Sequence, residues 1–139
     1  PYGDDWNEDM PVKWVRSIQD RLSPSVISIA DTVGAADSEL VERIFTQVTN
    51  ECVDAAVGAH LHVSPLDGLD KIKAAHRGGC LRIDGALRGV GGCPMAQDDL
   101  VGNAPTEWIV EWASAKELWH PVNPHALDEG LTMASDLFA

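Results

Sequence analysis

The chain has few basic residues and no long apolar run, and each shortage excludes a class of partner. Its 139 residues hold 10 Lys and Arg against 22 Asp and Glu, a formal net charge of −12. Such a surface repels nucleic-acid phosphates and anionic lipids, so we expect no nucleic acid as a partner and no membrane. No apolar stretch approaches the roughly 18 residues that a membrane span needs, and no signal-peptide pattern opens the chain. We therefore expect a cytoplasmic protein, or one of the mitochondrial matrix in a eukaryote.

Cysteines are also few, and their spacing excludes two kinds of scaffold. Cys52, Cys80 and Cys93 are an odd number at wide intervals, without a Cys-x-x-Cys pair. This pattern suits neither a disulfide framework nor a structural zinc site, so we expect free thiols. The first two neighbour apolar elements and resemble small buried hydrophobic residues. Cys93 stands between Gly92 and Pro94 in a glycine-rich loop, where packing does not explain it, and this loop is therefore a candidate functional site.

Strand and helix patterns alternate three times along the chain. Short apolar runs predict strands, and helical periodicity follows each of them, with a further helix at either end of the chain. The predicted strands are 26–30, 58–63 and 81–86; the predicted helices are about 9–22, 38–49, 68–77, 105–118 and 123–138. This order predicts a single α/β domain over residues 1–139 with a parallel sheet.

Three parallel strands make an incomplete sheet. Parallel sheets are normally covered on both faces, and an open sheet of this size leaves two strand edges unpaired. We therefore expect the chain either to assemble with a partner or to be a segment of a larger barrel, and its start at Pro1 favours the segment. In isolation it should dimerise, aggregate or stay partly molten, and a homo-oligomer is the expected state of the protein.

Two histidines on the second predicted strand are candidate metal ligands. His60 and His62 are two residues apart, and the two-residue period of a strand points both side chains to one face. Neutral imidazoles that converge in this way suit a divalent metal. The alternative is a pair of partly buried, hydrogen-bonded histidines without a ligand.

Further polar residues follow the strand ends that should share a rim with His62. Asp31 ends the first strand and is either a site residue or a cap of the following turn. Asn103 is either a site residue or a helix cap, since Pro105 follows it. Glu107 fits the first turn of the next helix, where the helix dipole favours a carboxylate.

Three stretches carry a resemblance to a known family. Residues 26–34 (VISIADTVG), 58–63 (GAHLHV) and 89–107 resemble the last three strand-and-loop motifs of the hydroxymethylglutaryl-CoA lyases. The most specific motif is Gly-Gly-Cys-Pro followed by Gly-Asn-x-x-Thr-Glu. The resemblance implies the C-terminal part of a (βα)8 TIM barrel: the helix of unit five, units six to eight and a C-terminal helix. The N-terminal half of the barrel is then the missing partner.

The resemblance also implies the chemistry. A Mg²⁺ or Mn²⁺ ion would be held by His60, His62 and Asn103, and the substrate would be a CoA thioester. Lyases of this family split 3-hydroxy-3-methylglutaryl-CoA into acetyl-CoA and acetoacetate, a step of leucine degradation. Asp31 and His60 would lie near the reacting hydroxyl.

Two further roles follow from the resemblance, together with two departures from it. Cys93 would protonate the acetyl-CoA enolate, and Glu107 would support the closed loop.

Family members often continue the His-x-His strand with Asp-Thr, whereas Val63 and Ser64 follow here. The family's metal-binding aspartate and substrate arginine on the first barrel strand have no counterpart, so the chain alone should be inactive. A related metal-dependent aldolase or acyl-CoA condensing enzyme, or a non-catalytic half-barrel assembly module, remains the alternative.

Overall fold

Helices and strands alternate in the computed structural model, which describes residues 5–93, 101–118 and 122–138. The elements follow the predicted order, with one additional strand. They are α1 (Met10–Leu22), β1 (Val26–Asp31), α2 (Ser38–Glu51), β2 (Ala56–Val63), α3 (Gly68–Arg77), β3 (Arg82–Asp84), β4 (Gly102–Asn103), α4 (Thr106–Ala115) and α5 (Pro124–Leu137). None of the helices in these ranges combines the length and the apolar character needed to cross a bilayer.

The predicted parallel sheet is confirmed. β1 pairs in parallel with β2, and β2 with β3, so the strand order is β1-β2-β3. The additional strand β4 lies antiparallel to the end of β2, with His62 opposite Asn103 and Val63 opposite Gly102. A strand of two residues has no periodicity that a sequence could reveal, which is why β4 was not predicted.

The predicted boundaries differ from the structure around the third strand and its helix. β3 is shorter than predicted because the chain makes a single helical turn at Leu87–Gly89, with Arg88 in the left-handed region at φ 61°. α4 begins at Thr106, with Pro105 at its N-cap position. It ends at Ala115, and Glu117 at φ 55° has the left-handed backbone that commonly follows a helix.

The core lies between the sheet and the helices on one of its faces. Alternate strand residues, Ile27, Val57 and Leu61 among them, are buried under α2 and α3. The opposite face carries small or polar side chains that are exposed, at Ser28 and Arg82 for example. This alternation places the apolar side of each strand against the helices and leaves much of the other face open to solvent, with His62 buried at its carboxyl end.

Close packing between α2 and α3 predicts a stability effect at Gly78. A Cβ at this position would stand 2.6 Å from the Phe45 Cβ and 2.9 Å from the Glu42 carbonyl oxygen. We expect Gly78→Ala to lower the free energy of unfolding by about 1–3 kcal/mol, because the helices must move apart.

Urea denaturation of the complete native protein measures this effect. Gly130→Ala is the matched control, since a Cβ there meets the Leu87 Cδ1 at an ordinary 3.4 Å inside α5. Alanine in a helix interior should raise stability by about 0.5–1 kcal/mol. A Gly78→Ala variant as stable as the wild type would contradict the close packing of α2 on α3.

Candidate functional site

The ends of β1 and β2 meet through a hydrogen bond between Asp31 and His62. The His62 Nδ1 lies 3.0 Å from the Asp31 carbonyl oxygen, and the His62 side chain is buried. A carbonyl oxygen only accepts hydrogen bonds, so the Nδ1 must carry the proton. The lone pair of neutral His62 is then on Nε2, the nitrogen that remains for a metal ligand bond.

His60 lies beside His62 on the same face of β2, as predicted. The two ring centroids are 5.2 Å apart in an edge-to-face arrangement. The His60 Nδ1 is 3.5 Å from the Asp84 Oδ2 on the neighbouring strand, and the His60 side chain is 43% exposed. The Asp84 carboxylate therefore favours a His60 ring oriented like that of His62. The Nδ1 atom of each ring faces an oxygen, and Nε2 is left for a ligand.

Asn103 reaches the site through β4. Its register directly opposite His62 puts the two side chains on the same face of the β2–β4 pair. The Asn103 Nδ2 donates a hydrogen bond of 2.9 Å to the Val90 carbonyl oxygen, which fixes the amide and leaves Oδ1 as its acceptor atom. The alternative function as a helix cap is wrong, because α4 begins only at Thr106.

Donor atoms of three side chains are of the kinds that hold divalent metals in proteins. Two imidazole nitrogens come from one face of β2, at His60 and His62, and one amide oxygen comes from Asn103, opposite His62 on β4. The set is neutral, and the described ranges contain no cluster of three or more His, Cys, Asp or Glu residues that could hold a metal ion. Mg²⁺ prefers oxygen ligands and carboxylates, so the residues fit a site that another acidic ligand completes.

The carboxylate of Asp31 organises the loop that follows β1. Its Oδ1 accepts a hydrogen bond from the Ala35 backbone nitrogen at 3.0 Å and its Oδ2 accepts one from the Ala36 nitrogen at 3.2 Å. Lys71 lies 3.5 Å from the same Oδ2. The geometry supports the turn-organising function that the sequence left open, and a catalytic role for Asp31 stays a prediction.

Lys71 was not predicted as a site residue, yet it lies among the polar groups of this rim. It is completely buried and donates a hydrogen bond of 2.9 Å to the Gly34 carbonyl oxygen. Its Nζ is also 3.0 Å from the Asp67 Oδ2. The sequence did hold a signal: Lys71 follows Gly68 by three residues and precedes Ala75 by four, which places a lysine on the buried face of α3.

Ser64 and Asp67 complete this polar cluster after β2. The Asp67 Oδ1 accepts hydrogen bonds from the Ser64 hydroxyl at 2.7 Å and from the Ser64 backbone nitrogen at 3.1 Å. Partial burial opposes ionisation of Asp67, but the hydrogen bonds from Ser64 and Lys71 outweigh it and lower the pKa of the carboxyl group. The loop after β2 thus has an ionised anchor for Lys71.

The loop with Cys93 begins on a tight backbone. Gly89 and Gly91 have φ values of 65° and 84°, which side-chain-bearing residues rarely adopt. Gly91 lies two residues before Cys93, which is half-buried. The Gly91 carbonyl oxygen accepts a hydrogen bond of 3.0 Å from the Asn103 backbone nitrogen. The loop therefore starts beside Asn103, while residues 94–100 lie outside the described ranges.

Glu107 holds the turn that precedes this loop. Its Oε2 accepts a hydrogen bond of 3.1 Å from the Arg88 backbone nitrogen. The Arg88 Nε in turn donates to the Leu131 carbonyl oxygen of α5 at 3.3 Å. Glu107 lies in the first turn of α4, as predicted, and it also ties that helix to the base of the cysteine loop.

A parallel α/β sheet with histidines, an amide and a thiol on the carboxyl side of its strands has the layout of a TIM-barrel enzyme segment. The family model described as HMGL-like matches residues 11–133. The chain belongs to this family.

Individual relatives agree with this assignment. A hydroxymethylglutaryl-CoA lyase of Bacillus subtilis is 30% identical over 112 residues, which are 78% of this chain and 37% of that protein. The crystal structure of the hydroxymethylglutaryl-CoA lyase from Pseudomonas aeruginosa has a TM-score of 0.81 at 26% identity. The match covers 100% of this chain and 46% of the Pseudomonas chain. The structure of the lyase from Acinetobacter baumannii in complex with coenzyme A and 3-methylmalate has a TM-score of 0.75 at 30% identity. The match covers 91% of this chain and 41% of the Acinetobacter chain.

The coverage shows how much of the barrel is present. The chain spans less than half the length of the relatives it matches. It aligns with them as a partial TIM barrel, which confirms the predicted fold class.

Proposed function

We propose that the protein is a hydroxymethylglutaryl-CoA lyase, which cleaves 3-hydroxy-3-methylglutaryl-CoA into acetyl-CoA and acetoacetate. The observation that supports this most is that the ends of β1, β2 and β4 meet. The His62 ring is hydrogen-bonded to the Asp31 carbonyl oxygen, and Asn103 is in register with His62. Membership of the HMGL-like family and the coenzyme A complex of one relative favour a CoA thioester as the substrate.

In this proposal His60, His62 and Asn103 hold a Mg²⁺ or Mn²⁺ ion. When bound, such an ion polarises the oxygen atoms of the substrate as a Lewis acid. The hydrogen bonds on the other atoms of these side chains, from His62 to Asp31 and from Asn103 to Val90, fix their orientation. Fixed ligands need no reorganisation when the metal and the substrate bind.

Asp31 takes the proton of the C3 hydroxyl group. Its carboxylate oxygens accept hydrogen bonds from Ala35 and Ala36 and lie 3.5 Å from the Lys71 ammonium at the nearest, and together they can accept about four hydrogen bonds. The substrate hydroxyl is a further donor to them. His60 lies on the exposed face near the same rim, where it positions this hydroxyl.

Cys93 then supplies the proton that the departing fragment needs. Loss of the hydroxyl proton and cleavage of the C–C bond produce acetoacetate and the enolate of acetyl-CoA. The Cys93 thiol protonates the enolate carbon, and the thiolate recovers a proton from Asp31, so the protons balance over one turnover. Glu107, through its hydrogen bond to Arg88, keeps the base of the loop in place while the loop covers the substrate.

The partner in this proposal is the other half of the barrel. The exposed face of the sheet and the partial coverage of the relatives both call for additional strands, which would bring the acidic ligand that the neutral donor set lacks. We propose that residues 1–139 alone are inactive. A homo-oligomeric state of the complete protein stays a prediction.

Incubation of the complete native protein with 3-hydroxy-3-methylglutaryl-CoA tests the proposed reaction. We expect equal amounts of acetoacetate and acetyl-CoA, only when Mg²⁺ or Mn²⁺ is present, and no product from a polypeptide of residues 1–139. Absence of acetoacetate at saturating metal, or turnover of a different hydroxyacyl-CoA only, would overturn the proposal in favour of a related lyase.

A further inference from the structure

Lys71 is buried where a lysine is unfavourable. Its side chain is 1% exposed, and lysines are almost never fully buried unless they are paired. It also lies in the first turn of α3, near the positive end of the helix dipole, which disfavours a cation. The contacts of the ammonium group must offset both costs.

These contacts join two loops. From the end of β1 and the loop that follows it come the Asp31 Oδ2 at 3.5 Å and the Gly34 carbonyl oxygen at 2.9 Å. From the loop after β2 comes the Asp67 Oδ2 at 3.0 Å. A single ammonium group therefore fixes the distance between the two strand ends at the site.

The loop held by Lys71 lies directly against His62. The Asp31 carbonyl oxygen accepts the hydrogen bond from the His62 Nδ1. A Cβ on Gly34, which has φ +69°, would stand only 3.0 Å from the His62 carbonyl oxygen and 2.9 Å from the Val101 Cγ1. A shift of this loop would therefore move the hydrogen-bond partner of the His62 ring.

We infer that Lys71 is a positioning residue that keeps the loop of residues 31–36 in the place where the Asp31 carbonyl selects the Nδ1-protonated form of His62. The inference rests on the proposed function, in which the His62 Nε2 binds the metal. Asp67, whose other carboxylate oxygen accepts the Ser64 hydroxyl, holds the ammonium from the other side.

Lys71→Met in the complete native protein tests this role, with Lys73→Met as the matched control. Lys73 lies on the same helix, but its side chain is 37% exposed and pairs with Asp70 at 3.5 Å. We expect Lys71→Met to weaken Mn²⁺ binding about 10- to 100-fold in a titration followed by electron paramagnetic resonance. Lys73→Met should bind Mn²⁺ like the wild type.

A second readout needs neither metal nor catalysis. Long-range ¹H–¹⁵N NMR spectra of the metal-free protein report which nitrogen of His62 carries the proton. We expect Nδ1 alone in the wild type and in Lys73→Met, and a mixture of both forms in Lys71→Met. If circular dichroism shows that Lys71→Met does not fold, Lys71→Gln, which removes the charge that faces Asp31 and Asp67 but keeps a polar side chain, replaces it in both measurements.

The two readouts separate this inference from the proposed function. A folded Lys71 variant with the wild-type His62 proton position and wild-type Mn²⁺ affinity would overturn the role of Lys71. A wild-type protein that binds no Mn²⁺ would overturn the proposed function, while the proton position of His62 would still decide whether Lys71 orients the ring.

Discussion

Replacing His62 by leucine in the complete native protein is expected to reduce the rate of 3-hydroxy-3-methylglutaryl-CoA cleavage by about 10³-fold, equivalent to about 4 kcal/mol of barrier. Leucine is similar in volume to histidine but has no lone pair for a metal. The loss should persist at high Mn²⁺ concentration, because Asn103 and His60 alone form an incomplete ligand set. Steady-state kinetics with the acetoacetate product as readout measure the effect.

His125→Leu is the control for this substitution. His125 lies on α5 with an 81% exposed side chain and is 3.5 Å from Glu129. Its replacement should leave the rate unchanged. If His62→Leu, folded as judged by urea denaturation, retained the wild-type rate, His62 would not be a metal ligand of this reaction.

Replacing Cys93 by alanine is expected to lower kcat by about 10²- to 10⁴-fold, the usual contribution of a general acid. KM should change little, because the thiol acts on the enolate and not on the bound substrate. Stopped-flow or steady-state assays of acetoacetate release across a range of substrate concentrations separate the two constants.

Cys52→Ala controls for a general effect of losing a thiol. Cys52 is at the C-cap position of α2 and half-buried, and it belongs to neither strand end of the site. We expect wild-type kinetics from it. An unchanged kcat in Cys93→Ala would assign the proton to another donor and reject the role of the cysteine.

The parallel sheet could be predicted because its signals are local. Each of the strands β1 and β2 is a short apolar run bounded by turn residues, and each following helix repeats its apolar positions at helical spacing. The same-face placement of His60 and His62 follows from the strand period alone, and the structure confirms it. These features depend on residues that are neighbours in sequence.

The site was less predictable because its contacts join distant segments. The pairing of Asn103 with His62 depends on a two-residue strand whose partner is about forty positions away, and no local pattern encodes it. For the same reason the sequence left Asn103 open between a site residue and a helix cap. Lys71 shows the opposite case, since its place on the apolar face of α3 was visible but its partners Asp31 and Gly34 were not.

We propose that His60, His62 and Asn103 bind one divalent ion at the ends of β2 and β4. A crystal structure of the complete native protein with Mn²⁺, with data collected at a wavelength where manganese scatters anomalously, tests it most directly. We expect a single strong anomalous peak within bonding distance of the Nε2 atoms of both histidines and the Oδ1 of Asn103. A peak bound elsewhere, or no peak at these atoms at saturating Mn²⁺, would contradict it.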